Sequence, residues 1–246
     1  MSRSQARLAF SLDMTKQLFA TLDVYHDESS RSAALNMAVD ETLLECVTQP
    51  TIRFYRWDHP ALSFGYFGKL ADVASHANKR DVVRRWTGGG IVLHGADLTY
   101  SIVIPASDSA FAESSVSIYR KIHEGARAAL ASHGKTVATF CERRPEKNSA
   151  VIDRRYNKDL CFANPVESDL LSNGRKIAGA AQRRTRGGLL QQGSIQNLDL
   201  PLEFEKNFAA QLSPKCTERT LSESLLGRAT KIATERYATA EWMRRR

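Results

Sequence analysis

The chain has 246 residues, a formal net charge of +8 and 42% apolar residues, which is ample for one sizeable core. No run of about 18 apolar residues occurs, so hydropathy excludes a membrane-spanning helix. The four cysteines (Cys46, Cys141, Cys161, Cys216) form no CxxC, and no two of the six histidines stand at helical ligand spacing. Zinc and a disulfide framework are therefore not expected, and a reducing cytoplasm fits.

The N-terminal stretch MSRSQARLAFSLDMTKQLF is basic, but Asp13 and Lys16 break its apolar run. It reads as a frayed leader rather than a signal peptide. Residues 30–47 place Leu35, Ala38, Val39, Thr42, Leu43, Cys46 and Val47 on one helical stripe, with Ser29 or Ser30 available as cap. Residues 51–57 and 61–67 read as two strands joined by a turn at Asp58, His59 and Pro60, and 81–86 as a third strand. In 98–105, Leu98, Tyr100, Ile102 and Ile104 alternate with Thr99, Ser101 and Val103, the pattern of a half-buried strand. Residues 115–134 read as a helix with Ile118, Ile122, Ala126, Ala129 and Leu130 inward, stopping at His133-Gly134. Asn173-Gly174 marks a tight hairpin turn within 169–182, and 188–195 is another strand. The C-terminal fifty residues look helical. Helix, strands, helix, strands and helices without regular βα alternation predict the α+β class. With no repeat, low-complexity tract or linker, residues 1–246 read as one domain, with a core of about 21–200 and a helical extension of about 201–246.

VVRRWTGGGIVLHGADLTYS (82–101) is the most informative stretch. Three consecutive glycines sacrifice backbone entropy, which a chain accepts where something must approach the backbone closely. With Arg84 and Arg85 beside Gly88, Gly89 and Gly90, the backbone amides could bind a carboxylate, a phosphate or an oxyanion. The plain alternative is a glycine-rich turn with solvated arginines. The stretch is neither a P-loop nor GxGxxG. His94 either orients a ligand or is a satisfied strand histidine.

KDLCFANPVESDLLSNGRKIAGAAQ (158–182) holds the second candidate pair, Cys161 and Lys176. Cys161 is either a small buried apolar residue or a nucleophile. Lys176 is either a solvent lysine or, beside the small apolar run from Ile177, a desolvated one able to serve as base. Cys46, Cys141 and Cys216 read as structural, Cys46 from its place on the helical stripe. Excess charge gathers in Arg183–Arg186, which spells RRTR, and in Arg244–Arg246. That suits a nucleic acid or an acidic carrier protein, or a merely solvated basic surface.

Four ordered motifs, NMAVDETLL (36–44), PTIRFYRWDHPALSFGYF (50–67), RRWTGGGIVLHGADLTYS (84–101) and GRKIAGAAQRRTRGGLLQQGSI (174–195), resemble the lipoate/biotin protein ligase superfamily over roughly residues 25–200. The resemblance implies a single catalytic domain with a central mixed or antiparallel sheet flanked by helices, a pocket for a medium acyl chain and transfer to a lysine on a lipoyl domain. Cys161, fifteen residues before Lys176, matches the cysteine-dependent octanoyl-[acyl-carrier-protein]:protein N-octanoyltransferases. That likeness implies Cys161 and Lys176 as catalytic residues, and Arg84, Arg85, Gly88, Gly89, Gly90, His94, Gly179 and Gln182 as substrate-binding ones. The implied partners are octanoyl-acyl carrier protein and lipoyl domains of 2-oxoacid dehydrogenase E2 subunits or glycine cleavage H protein; no cofactor is implied, neither a metal nor a membrane is expected from the sequence, and nucleic acid is the disfavoured partner. Two other chemistries fit the superfamily: an ATP- and Mg²⁺-dependent lipoate–protein ligase holding lipoyl-adenylate on the Gly88–Gly90 loop, and octanoyl transfer between lipoyl-domain proteins. A lipoate- or nucleic-acid-binding protein on the same fold is the non-enzymatic alternative.

Overall fold

In this computed structural model, which describes residues 17–140, 161–163 and 165–245, eleven strands form two sheets. The chain begins with β1 (Leu22–His26), α1 (Ala33–Cys46), β2 (Thr51–Tyr55), β3 (Ala61–Phe64) and the short α2 (Leu70–Val73). It continues through β4 (Asp81–Arg84), β5 (Val92–His94), β6 (Leu98–Pro105), α3 (Ser115–Ala131) and β7 (Ala138–Thr139). After a 3₁₀ turn at Cys161–Ala163 come β8 (Leu170–Ser172), β9 (Arg175–Arg184) and β10 (Gly188–Ile195). The last elements are α4 (Phe204–Leu212), β11 (Cys216–Arg219), α5 (Glu223–Ile232) and α6 (Ala240–Arg244).

The large sheet runs β11-β1-β2-β6-β10-β9-β8-β7, parallel from β11 to β2 and antiparallel beyond. The small sheet, β4-β3-β5, pairs β3 parallel to β4 and antiparallel to β5. The class is therefore the α+β arrangement expected. One face of the large sheet is covered by α3 and α4, whose Ile118, Ile122, Leu130, Phe204 and Phe208 are fully buried. Each contributes on the order of 1.5–3 kcal/mol. The other face meets α1, α5 and the C-terminal turn around Tyr237 and Trp242.

Five expectations need correction. The strands at 51–57 and 61–67 are not a hairpin pair: β2 joins the large sheet and β3 the small one. Strand β6 is buried on both faces along its whole length. Its polar residues satisfy buried carboxylates, Ser101 donating to Asp40 (2.7 Å) and Thr99 to Asp97 (2.9 Å). Cys46 is exposed, because α1 ends there. Nor is the tail purely helical, since β11 pairs with β1 at the sheet edge. Helix α1 is capped by Ser32, not by Ser29 or Ser30, its hydroxyl accepting from Leu35 N–H. The Asn173-Gly174 turn forms as expected, with φ of +49° and +75°, the doubly positive pattern of a two-residue hairpin.

Candidate active site

Neighbouring strands β2, β6, β10 and β9 lay a floor about 14 Å wide at ordinary strand spacing. The small sheet and the glycine loop form its roof. Between them lies a narrow cleft, about 400 Å³ when the solvent in its open mouth is included. Gly179, Ala180 and Ala181 of β9 border it on one side, Tyr55 and Trp57 on the other, and Met37 of α1 closes it.

Cys161 lies on this cleft, in the 3₁₀ turn, its amide held by the Ile91 carbonyl at 2.9 Å. That bond joins the turn to the stretch that follows the glycine loop. Lys176, at the start of β9, brings its Nζ to 3.5 Å from Cys161 Sγ and 3.0 Å from the Cys161 carbonyl oxygen. The same nitrogen forms an ion pair with Asp169 at 2.7 Å, and both side chains are almost wholly buried. Three acceptors around one nitrogen match the three N–H groups of an ammonium. The head group fits only because residue 179 has no side chain: a Cβ there would stand 2.6 Å from Nζ.

Arg85 and His94 build the roof. Arg85 Nη2 donates to the Gly88 and Gly90 carbonyls at 3.0 and 2.8 Å, and Nη1 donates to Ser63 Oγ at 2.7 Å. Ser63 Oγ, already an acceptor, then donates its proton to His94 Nε2 at 2.6 Å. His94 Nδ1–H in turn donates to Asp97 at 2.7 Å. Burial pulls the Arg85 guanidinium down to about 10, opposed by the charge of Cys161. Burial also lowers His94, which keeps the imidazole neutral as this chain of donors requires. Burial would raise the Asp97 carboxyl, but hydrogen bonds from His94, Gly95 and Ser194 outweigh it and hold it below the ordinary range. The His94 ring stacks on Trp57 at 4.0 Å between centroids. Gly89 sits on the cleft with φ +85°, a conformation open to glycine.

Other expected site residues are placed elsewhere. Arg84 is a correction: it points away from the cleft, and its donors are spent on the carbonyls of Tyr66, Gly68, Trp242, Met243 and Arg245. Arg84 ends β4 and Arg85 follows it, and their guanidiniums bond in different places, Arg84 to the C-terminal carbonyls and Arg85 to Ser63 and the glycine loop. Gly88 and Gly90 offer their carbonyls to Arg85 and are not on the cleft wall. Gln182 is also a correction, since its amide donates to Gln191 (2.7 Å), away from the cleft. Cys216 is exposed, while Cys141 lies outside the described residues.

Residues 32–239 match the family described as the lipoyl protein ligase A/B catalytic domain. The chain belongs to this family. Among its relatives, the octanoyltransferase LipM of Halalkalibacterium halodurans is 31% identical over 88% of this chain and 96% of its own. The octanoyltransferase LipM of Geobacillus kaustophilus is 40% identical over 70% of this chain and 63% of its own. Among solved structures, a bi-partite lipoate protein ligase from Thermoplasma acidophilum superposes with a TM-score of 0.62 at 19% identity, covering 91% of this chain and 95% of that one. At that identity the likeness carries the fold alone. Sequence reading missed Asp169, which pairs with Lys176, Tyr119, which donates to Asp169 at 2.5 Å, and Ser63, which accepts from Arg85. Each looks ordinary in its segment, and only the fold brings these pairs together.

Proposed function

We propose that this chain moves an octanoyl group from the thioester of acyl carrier protein to a lysine of a lipoyl domain, through a thioester on Cys161. Octanoyl transfer in protein lipoylation is supported by the family and by relatives 31–40% identical that carry the octanoyltransferase name. The observation that carries the cysteine route is the approach of Lys176 Nζ to Cys161 Sγ at the border of a cleft.

In the first half-reaction the Cys161 thiolate attacks the donor's carbonyl carbon. The new C–S bond forms, the old one breaks, and the carrier's thiol leaves with the proton that Cys161 gave up. In the second, the ε-amine of the acceptor lysine attacks the acyl-enzyme. The amide bond forms, Cys161 departs as thiolate, and the amine's surplus proton returns to it. The Lys176 ammonium stabilises the thiolate before attack and after release, and its N–H groups can follow charge as it develops on the carbonyl oxygen. This is an electrostatic role rather than the base role that sequence alone suggested, because Asp169 pairs with the charged form. No step consumes ATP or a cofactor, since the thioester already holds the acyl group activated.

The cleft suits an alkyl chain. Ser63, His94, Thr99 and Ser194 are polar, yet each hydrogen-bonds within the protein, so an apolar guest strands no donor. Intact-mass analysis after mixing with octanoyl-acyl carrier protein tests the reading. An adduct of one octanoyl group mapping to Cys161, discharged by an apo lipoyl domain, is the expected result. Absence of adduct together with turnover of free lipoate by ATP and Mg²⁺ would replace it with the ligase chemistry.

A further inference from the structure

Asp169 is fully buried, directly before β8. Its Oδ2 receives Lys176 Nζ at 2.7 Å and the Val166 amide at 2.6 Å, and its Oδ1 receives the Tyr119 hydroxyl at 2.5 Å. The backbone on either side is equally fixed. Phe140 N–H donates to the Asp169 carbonyl at 2.7 Å, and His123 Nδ1–H donates to the Ser168 carbonyl at 2.7 Å. Tyr119, from α3, is itself anchored, because its oxygen accepts the Ala180 amide at 3.0 Å. The Lys176 head is thus triangulated by a carboxylate that cannot move, the Cys161 carbonyl and the Cys161 sulfur.

We infer that Asp169, clamped by Tyr119, is the positioning residue of the site: it aims the Lys176 ammonium at Cys161 Sγ. It lies behind the lysine and touches neither sulfur nor acyl group, so it acts through Lys176. The inference rests on the reading of Cys161 as the acyl carrier, but its test does not need an acyl donor. The ionisable groups around Lys176 and Cys161 are Asp169, Tyr119, His123 and Arg85. Burial raises Tyr119 far above the ordinary phenol and lowers His123 to about 4. Neither changes charge across the neutral range, and Arg85, lowered by burial to about 10, is common to every variant, so a difference between variants reports the lysine–carboxylate pair beside the sulfur.

The test is alkylation of Cys161 by iodoacetamide across pH 5.5–9.5, read by peptide mass in the full chain, for wild type, Asp169→Asn, Tyr119→Phe, Lys176→Ala and the double variant Asp169→Asn/Lys176→Ala. Losing the aim removes the cation from the sulfur, so the pH profile of Asp169→Asn moves to higher pH and alkylation at pH 7 slows several-fold. Tyr119→Phe moves the same way by less. In the Lys176→Ala background, Asp169→Asn adds little, because the two act as a unit. The opposite outcome is clear-cut. If Lys176 stays aimed without Asp169, deleting a negative charge makes the thiolate easier to form, and the profile moves to lower pH. That shift, or an equal added loss in the Lys176→Ala background, overturns the inference. Should Asp169→Asn melt too low to assay, Tyr119→Phe, which keeps every charge, decides alone. A normal alkylation result with no octanoyl adduct would instead tell against the transfer chemistry.

Discussion

Gly179→Ala places one methyl group where the site has no room. The added Cβ would stand 2.6 Å from Lys176 Nζ and 3.1 Å from Asp169 Oδ1, and closer still to Lys176 Cε. Ordinary contact begins near 3.4 Å, so the ammonium must retreat by roughly 0.8 Å. Asp169 cannot follow, because Tyr119 and Val166 hold its two oxygens. Nζ already stands 3.5 Å from Sγ, so a retreat of that size ends the contact with sulfur. A misplacement of about 1 Å at a reacting group costs about 10²-fold, or about 2.7 kcal/mol of barrier. The assay is single-turnover octanoyl-adduct formation on Cys161, with donor concentration varied. Expected is a fall of about 10²-fold in the limiting rate, with the half-saturating donor concentration little changed and only a modest drop in melting temperature. The displaced atoms are the end of a flexible side chain, so the fold can absorb the methyl group. A limiting rate near that of wild type would refute the claim that Lys176 must sit at this place.

Cys161→Ala abolishes adduct formation and transfer, whereas Cys46→Ala and Cys216→Ala, at exposed positions, leave both intact; transfer surviving in Cys161→Ala would sink the covalent route. Gly89→Val blocks acyl loading more than it unfolds the chain. Its φ of +85° strains a β-branched residue, and even its Cβ would crowd Arg85 Nη2 (3.2 Å) and Ala181 (3.3 Å). Adduct yield beside thermal melting measures it, and a normal yield would mean that the loop is an ordinary turn. His123 gives a pH signature in stability. Burial lowers it to about 4, so the unfolded chain binds the extra proton first. The stability tied to its neutral form is complete above the unfolded value of about 6.5 and lost as pH falls to about 4, a span of roughly 3 kcal/mol. Urea midpoints should therefore fall over that range in wild type and fall less in His123→Gln; parallel curves would rule His123 out as the source.

Legibility in the sequence followed how local the cause was. Strand β10 and the Asn173-Gly174 hairpin were readable because alternation and turn chemistry act within a few residues. The glycine loop and the spacing from Cys161 to Lys176 were readable as candidates for the same reason. Arg84 and Arg85 show a signal that could have been used. Once 81–86 reads as a strand, its alternation sends the two guanidiniums to opposite faces. Which face holds the cleft depends on the packing of the small sheet, which no local pattern records. Asp169 had no signal at all. An aspartate beside a predicted hairpin reads as a solvated turn residue, and it is Lys176, the Val166 amide and Tyr119, fifty positions earlier in α3, that make it a buried anchor.

The polar residues of β6 and β10 carry this argument furthest. A strand with Thr99 and Ser101 on one side looks half-solvated because an unpaired hydroxyl is costly to bury. Here Asp97 gathers hydrogen bonds from His94, Gly95, Thr99 and Ser194. Asp40 gathers them from Arg53, Tyr55, Ser101 and Gln192. Two buried carboxylates thereby satisfy the hydroxyls and amides along one side of the cleft. Such a wall is rigid, since its rotamers are set by several bonds at once. It also offers an incoming alkyl chain no unpaired donor to desolvate. Polar composition and apolar behaviour are compatible here because the pairing is complete within the wall. That completeness is compatible with the proposed chemistry, in which the reacting group on the cleft is the Cys161 sulfur beside Lys176.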